Sequence, residues 1–95
     1  MGYDVEFDWD GHNLEHLAEH GISRLDAEDV LSGNHILLEY QMEGDEERWI
    51  AVGTTRAGRI LEIVFAVRGQ AIRPITGWAA SKEMCDGYAK EWGLE

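Results

Sequence analysis

The chain has 95 residues with a formal net charge of −11 and a single cysteine, which fits one domain, residues 1–95, built around one core. One cysteine excludes an internal disulfide and fits a reducing compartment. Such an excess of acid also argues against a simple nucleic-acid binder, because lysine and arginine supply most of the affinity for phosphate.

The charge is unevenly spread. Residues 1–47 hold fourteen acids against one base, Arg24, whereas residues 48–81 hold five of the six arginines and one acid, Glu62. A local basic patch on an acidic body is therefore open to this chain. The longest strictly apolar run, Ile63 to Val67, is far short of a membrane span, and the acidic start is the reverse of a signal peptide's basic one. A cytoplasmic protein without a membrane partner is expected.

From the N-terminus, Tyr3 to Trp9 alternates large apolar and acidic residues, which predicts a short extended entry with Val5, Phe7 and Trp9 turned inward. Asp10 reads as the N-cap of a helix over about Gly11 to His20 that buries Leu14, Leu17 and Ala18 and stops at Gly21. His12, His16 and His20 recur every four residues and so share one ridge. The run His16-Leu-Ala-Glu-His20 also matches H-x-x-E-H, in which two histidines bind zinc beside a glutamate base. A histidine-rich helix face is the favoured reading, since no third-ligand motif follows and one short helix cannot surround a four-coordinate ion. No metal or other cofactor is expected.

Ser23 to Asp26 has the form of a capping box opening a second helix, with Ala27, Val30 and Leu31 as its apolar stripe and Gly33-Asn34 as its end. His35 to Tyr40 reads as a strand, and Gln41 to Glu47 as an exposed acidic loop. The next stretch is the most informative. Arg48 to Thr55 and Arg59 to Arg68 are rich in β-branched and aromatic residues and flank Arg56-Ala-Gly58, whose glycine stands where a three-residue hairpin loop needs a left-handed residue.

If Thr55 pairs with Arg59, then Gly53 faces Leu61, Ala51 faces Ile63 and Trp49 faces Phe65 on one, core-directed side. Gly69-Gln70 makes a second, two-residue turn, so that Arg68 pairs with Ala71 and Ala66 with Arg73. Arg48, Ala66 and Arg73 then lie in one row, with Arg68 nearby on the same face. Guanidinium forks placed this way suit phosphate, although solvation or pairing with the abundant carboxylates is the commoner fate of such arginines. The last strand, Ala71 to about Trp78, contains Pro74, which favours an edge. Ser81 starts a closing helix with Met84, Tyr88 and Trp92 along one stripe. The fold class expected is α+β: two N-terminal helices, a four-stranded antiparallel sheet and a C-terminal helix.

Taken in order, Phe7-Asp-Trp-Asp10, Asn13-Leu-Glu-His16, His20-Gly-Ile-Ser23, Glu47-Arg48, Val52-Gly53, Gly58-Arg59, Val64-Phe65, Arg68, Ile72-Arg73, Ile75-Thr76, Ala80-Ser81, Glu83 and Tyr88 resemble the BrnT family, the toxin half of bacterial type II toxin–antitoxin pairs. The resemblance implies a RelE-like fold, an antitoxin partner, and metal-independent RNA cleavage in which the 2′-hydroxyl attacks the adjacent phosphate. It also implies cationic site residues at Arg48, Arg59, Arg68 and Arg73, with His20 and Tyr88 as the nearest matches for proton work. Arg73 is then expected to stabilise charge in the transition state and Arg48 chiefly to position phosphate.

Where many members carry an arginine, this chain has Thr76-Gly77-Trp78. That departure, with the acidic body, supports an alternative: a weak or inactive relative that serves as a protein-binding module, a homodimer among its expected assemblies.

Overall fold

The computed structural model describes residues 5–33 and 35–91, with the backbone alone at positions 39–41, 43 and 91. Tyr3, Asn34 and Trp92 lie outside the described residues. The elements in chain order are β1 (Glu6–Phe7), α1 (Gly11–Ala18), α2 (Arg24–Ser32), β2 (His35–Glu43), β3 (Glu46–Thr54), β4 (Ile60–Arg68), β5 (Ala71–Ala79) and α3 (Lys82–Glu91).

Turns set the sheet. Gly58 adopts φ 85° in the β3–β4 loop, where Thr55 N–H donates to Arg59 O at 2.9 Å, and Gly69 adopts φ 61° as the first central residue of the β4–β5 turn. With no non-glycine residue at positive φ among those described, positive φ is confined to the first turn position, the pattern of a type II′ hairpin. Trp49 consequently pairs with Phe65, Ala51 with Ile63, Gly53 with Leu61, Ala66 with Arg73 and Arg68 with Ala71. The register expected from the sequence is the register observed.

The sheet itself is larger than expected and mixed. Its order is β1-β5-β4-β3-β2. The extended entry becomes a fifth strand, β1, paired in parallel with β5 through Glu6–Ala71 and Phe7–Ile72. The acidic stretch Gln41 to Glu47 is no loop either: Gly44 takes φ 65° and the hairpin closes there, with Glu43 opposite Glu46. Pro74 does not mark a bare edge, because β5 lies between β1 and β4. The proline sits just past the end of β1, at a bulge where Phe65 faces Pro74 while Val64 faces Thr76, and there its missing N–H leaves no gap in a regular ladder.

Leu17, Ile22, Ala27, Val30 and Leu31 from α1, α2 and their connection pack on Ala51, Leu61, Ile63 and Phe65 from one sheet face. Phe7, Trp9 and Trp49 pack against this cluster, whereas Val5 is exposed, since it precedes the paired part of β1. Side chains alternate along a strand, so Val52 projects from the opposite face. There it shares a pocket with Tyr88, Met84 and Gly87 of α3. Helix α1 stops at Ala18, which is exposed, and Gly21 follows with φ 70°. His20 therefore leaves the ridge formed by His12 and His16.

Candidate functional site

One polar pocket of about 190 Å³ is lined by Arg48, Arg68, Arg73, Glu46, His12, Asn13 and Ile75. Its floor is the row foreseen from the hairpins: Arg48 on β3 lies opposite Ala66 on β4, and Ala66 opposite Arg73 on β5. The small alanine leaves the space between the guanidinium groups. One alternation further along this face stand Glu46 and Arg68.

Carboxylates hold these arginines. Glu46 Oε1 accepts from Arg48 Nε at 3.1 Å, and Glu46 Oε2 accepts from Arg68 Nε and Nη2 at 3.0 and 2.8 Å. Asp10 Oδ2 accepts from Arg73 Nη2 at 3.0 Å, while Asp8 lies 3.6 Å from Arg73 and 3.8 Å from Arg68. Three arginines thus meet three carboxylates. Hydrogen bonds from Arg68, reinforced by Arg48, hold the Glu46 carboxyl below the usual carboxylate range. The Asn13 backbone N–H, with Arg73 and the His12 N–H, does the same for Asp10.

The arginines are not equivalent. Arg73 has only 12% of its side chain exposed and is tied to both aspartates. Arg48 is 34% exposed, uses Nε alone for Glu46, and its two terminal nitrogens have no partner among the described residues. Arg48 thus lines the pocket with those two nitrogens unengaged among the described residues. Of the two residues expected to act on phosphate, Arg73 is thus the more committed and Arg48 the less.

Asp10 and Asn13 build the wall beside Arg73. Asp10 caps α1 by accepting from His12 N–H and Asn13 N–H at 2.9 and 3.1 Å, and the Asn13 amide oxygen returns a bond to Asp10 N–H. The buried Asn13 also donates to Asp8 O and, across the sheet edge, to Pro74 O at 2.8 Å. A helix start is thereby clamped to the bulge in β5.

The other expected site residues lie elsewhere. Arg59 precedes β4 while Arg68 ends it, about 30 Å apart at some 3.3 Å per strand residue. Its Nη1 donates to Gly21 O at 3.1 Å and approaches Asp26, stapling the hairpin to the α1–α2 corner. Tyr88 is buried against α3's own face of the sheet, in the apolar pocket with Ile36, Leu38 and Val52. Exposed His20 lines neither pocket. Among the described residues no three His, Cys, Asp or Glu side chains are placed to hold a metal ion together.

Sequence reasoning missed Asp8, Glu46, His12 and Asn13 as site residues and saw Asp10 only as a cap. Two signals were present. Alternation through Phe7 and Trp9 puts Asp8 and Asp10 together on the opposite side of the entry, and the β3–β4 register, carried two residues past Arg48, brings Glu46 beside Arg68.

An α+β chain with three helices on a five-stranded mixed sheet and an arginine-lined pocket is the class of protein defined so far. A family model described as ribonuclease toxin, BrnT, of type II toxin–antitoxin system matches residues 9–83. The chain belongs to that family, whose members are paired with an antitoxin. The match covers every residue lining the polar pocket and ends before Tyr88. No curated protein shows significant similarity to the chain. Among the described residues no helix is long and apolar enough to cross a membrane.

Proposed function

We propose that this chain is a cytoplasmic endoribonuclease toxin that cleaves RNA without a metal, by attack of a 2′-hydroxyl on the adjacent phosphate, at the pocket of Arg48, Arg68 and Arg73. The observation that carries the reading is Arg48, whose terminal nitrogens are unengaged among the described residues, lining a polar pocket beside two further guanidinium groups. A planar fork matches two phosphate oxygens and gains most when charge builds on them in the transition state. Family membership supplies the substrate class. Helices over one sheet face, with α3 across the other, support the RelE-like arrangement that the resemblance implies.

Arg48 is the principal phosphate contact in this reading, Arg68 a second contact once Glu46 yields, and Arg73 the support that fixes the wall. The test is cleavage of a labelled single-stranded RNA by purified chain, with and without chelator, beside Arg48→Ala. Cleavage that persists in chelator and disappears with Arg48→Ala is the expected result. Loss of cleavage in chelator, or full activity of Arg48→Ala, would sink the mechanism.

One observation favours the second reading, a binding module without activity. Every arginine of the pocket already has a carboxylate partner, so no uncompensated positive charge awaits a substrate. That reading holds if wild type neither cleaves RNA nor arrests growth, yet still binds its antitoxin as a monomer or homodimer.

A further inference from the structure

Attack by a 2′-hydroxyl requires a proton to be moved as well as charge to be stabilised. Most of the pocket lining is unsuited to that work. Arginine stays charged throughout the physiological range, Asn13 is committed to Asp8, Asp10 and Pro74, and both oxygens of Glu46 are engaged by guanidinium groups that keep it ionised and weakly basic. His12 remains, and imidazole is the side chain that gives and takes a proton near neutral pH.

We propose that His12 is the catalytic base of this site, taking the proton from the attacking 2′-hydroxyl. The proposal rests on the ribonuclease reading above. What recommends His12 over the other histidines is the way Asp10 ties it to the arginines: one oxygen of that carboxylate accepts the His12 backbone N–H at 2.9 Å and the other accepts Arg73 Nη2 at 3.0 Å. A single side chain therefore sets the histidine's backbone and the arginine wall in register. The imidazole is exposed, lines the pocket, and meets His16 with ring centroids 5.8 Å apart. The charged and titratable groups that adjoin it or share its pocket are His16 on α1, Asp10 at the cap, Glu46 and Arg48 on β3, Arg68 on β4 and Arg73 on β5.

In the step itself, neutral imidazole accepts the proton as the 2′-oxygen bonds to phosphorus, and Arg48 holds the non-bridging oxygens. The bond from phosphorus to O5′ breaks, O5′ takes a proton from water, and the hydroxide left behind removes the proton from the imidazolium. The products are a 2′,3′-cyclic phosphate and a 5′-hydroxyl, and no bond to the protein forms.

The test compares wild type, His12→Ala and Arg48→Ala on a single-stranded RNA, with a 2′-deoxy version of the same strand as a non-cleavable binding probe. His12→Ala should bind the probe as wild type does but cleave about 10²- to 10⁴-fold more slowly, lose the acid limb of the pH–rate profile, and recover part of its rate in added imidazole. Wild-type rate and profile in His12→Ala would overturn the proposal and leave the ribonuclease reading standing, provided Arg48→Ala is inactive. A lost rate matched by lost probe binding, without imidazole rescue, would make His12 a contact and overturn its role as base. No cleavage by wild type would remove both readings together.

Discussion

At the scale of single residues, the arginines separate into open and committed ones. Arg48→Ala removes the one fork among the pocket's three arginines whose terminal nitrogens are unengaged among the described residues, and a transition-state contact of this kind is worth about 3 kcal/mol, or about 10²-fold in rate. Single-turnover cleavage should fall by at least that factor, which leaves no product on the multiple-turnover timescale, with the melting temperature nearly unchanged. Arg73→Ala should do the opposite at equilibrium, lowering the melting temperature, because its loss leaves Asp8 and Asp10 facing each other without their shared cation. Asn13 gives the sharper stability test. Its amide nitrogen donates to two backbone carbonyls in a buried site, and Asn13→Asp would turn an acceptor toward both, costing about 1–3 kcal/mol in chemical denaturation. No change in midpoint would contradict the clamp.

At the scale of elements, what the sequence made legible was what local chemistry decides. The glycines at 58 and 69 specify hairpin turns, the turns specify register, and the register places Arg48, Ala66 and Arg73 in one row. Ser23 and Asp26 likewise announce the reciprocal cap seen at α2, and Ser23→Ala should cost about 1 kcal/mol. What remained hidden depends on contacts distant in the chain. A two-residue strand such as β1 has no periodic pattern of its own and exists because β5 offers it an edge. Arg59 looked equivalent to Arg68 by composition, but only the α1–α2 corner reveals that it is occupied. Gly77 shows the same limit. It permits Ile22 to lie against the sheet: a Cβ there would stand 2.7 Å from Glu62 O and 2.8 Å from Ile63 Cδ1. Gly77→Ala should accordingly destabilise the fold by about 1–3 kcal/mol, measurable as a lowered unfolding midpoint.

At the scale of the whole molecule, acid should loosen the pocket. Asp10 and Glu46 titrate below their ordinary values in the folded chain, so on acidification the unfolded state binds protons first. Their contribution is complete above the ordinary carboxylate range, about pH 4, and is lost as pH falls through the lower folded values. Because the remaining acids repel one another less when protonated, the clean readout is a difference. Glu46→Gln should be less stable than wild type near neutrality, and the gap should narrow as pH falls below that range. A gap constant with pH would mean that Glu46 contributes nothing by its charge.

The pocket also resembles an ion exchanger delivered already loaded. Ordinarily each phosphate neutralised on a single strand releases a bulk counterion and adds about 0.7 to the slope of log affinity against log salt. Here Arg68 would trade the Glu46 carboxylate for a phosphate, and the freed carboxylate would take up a cation in place of the one the phosphate sheds, so that only the phosphate at Arg48 gives a net release. Binding of a non-cleavable RNA should therefore show a slope near that of one contact, about 0.7, instead of about 1.4 for two. A chain with net charge −11 would then hold its substrate by substitution, and salt, which weakens most nucleic-acid binding, would weaken this one little.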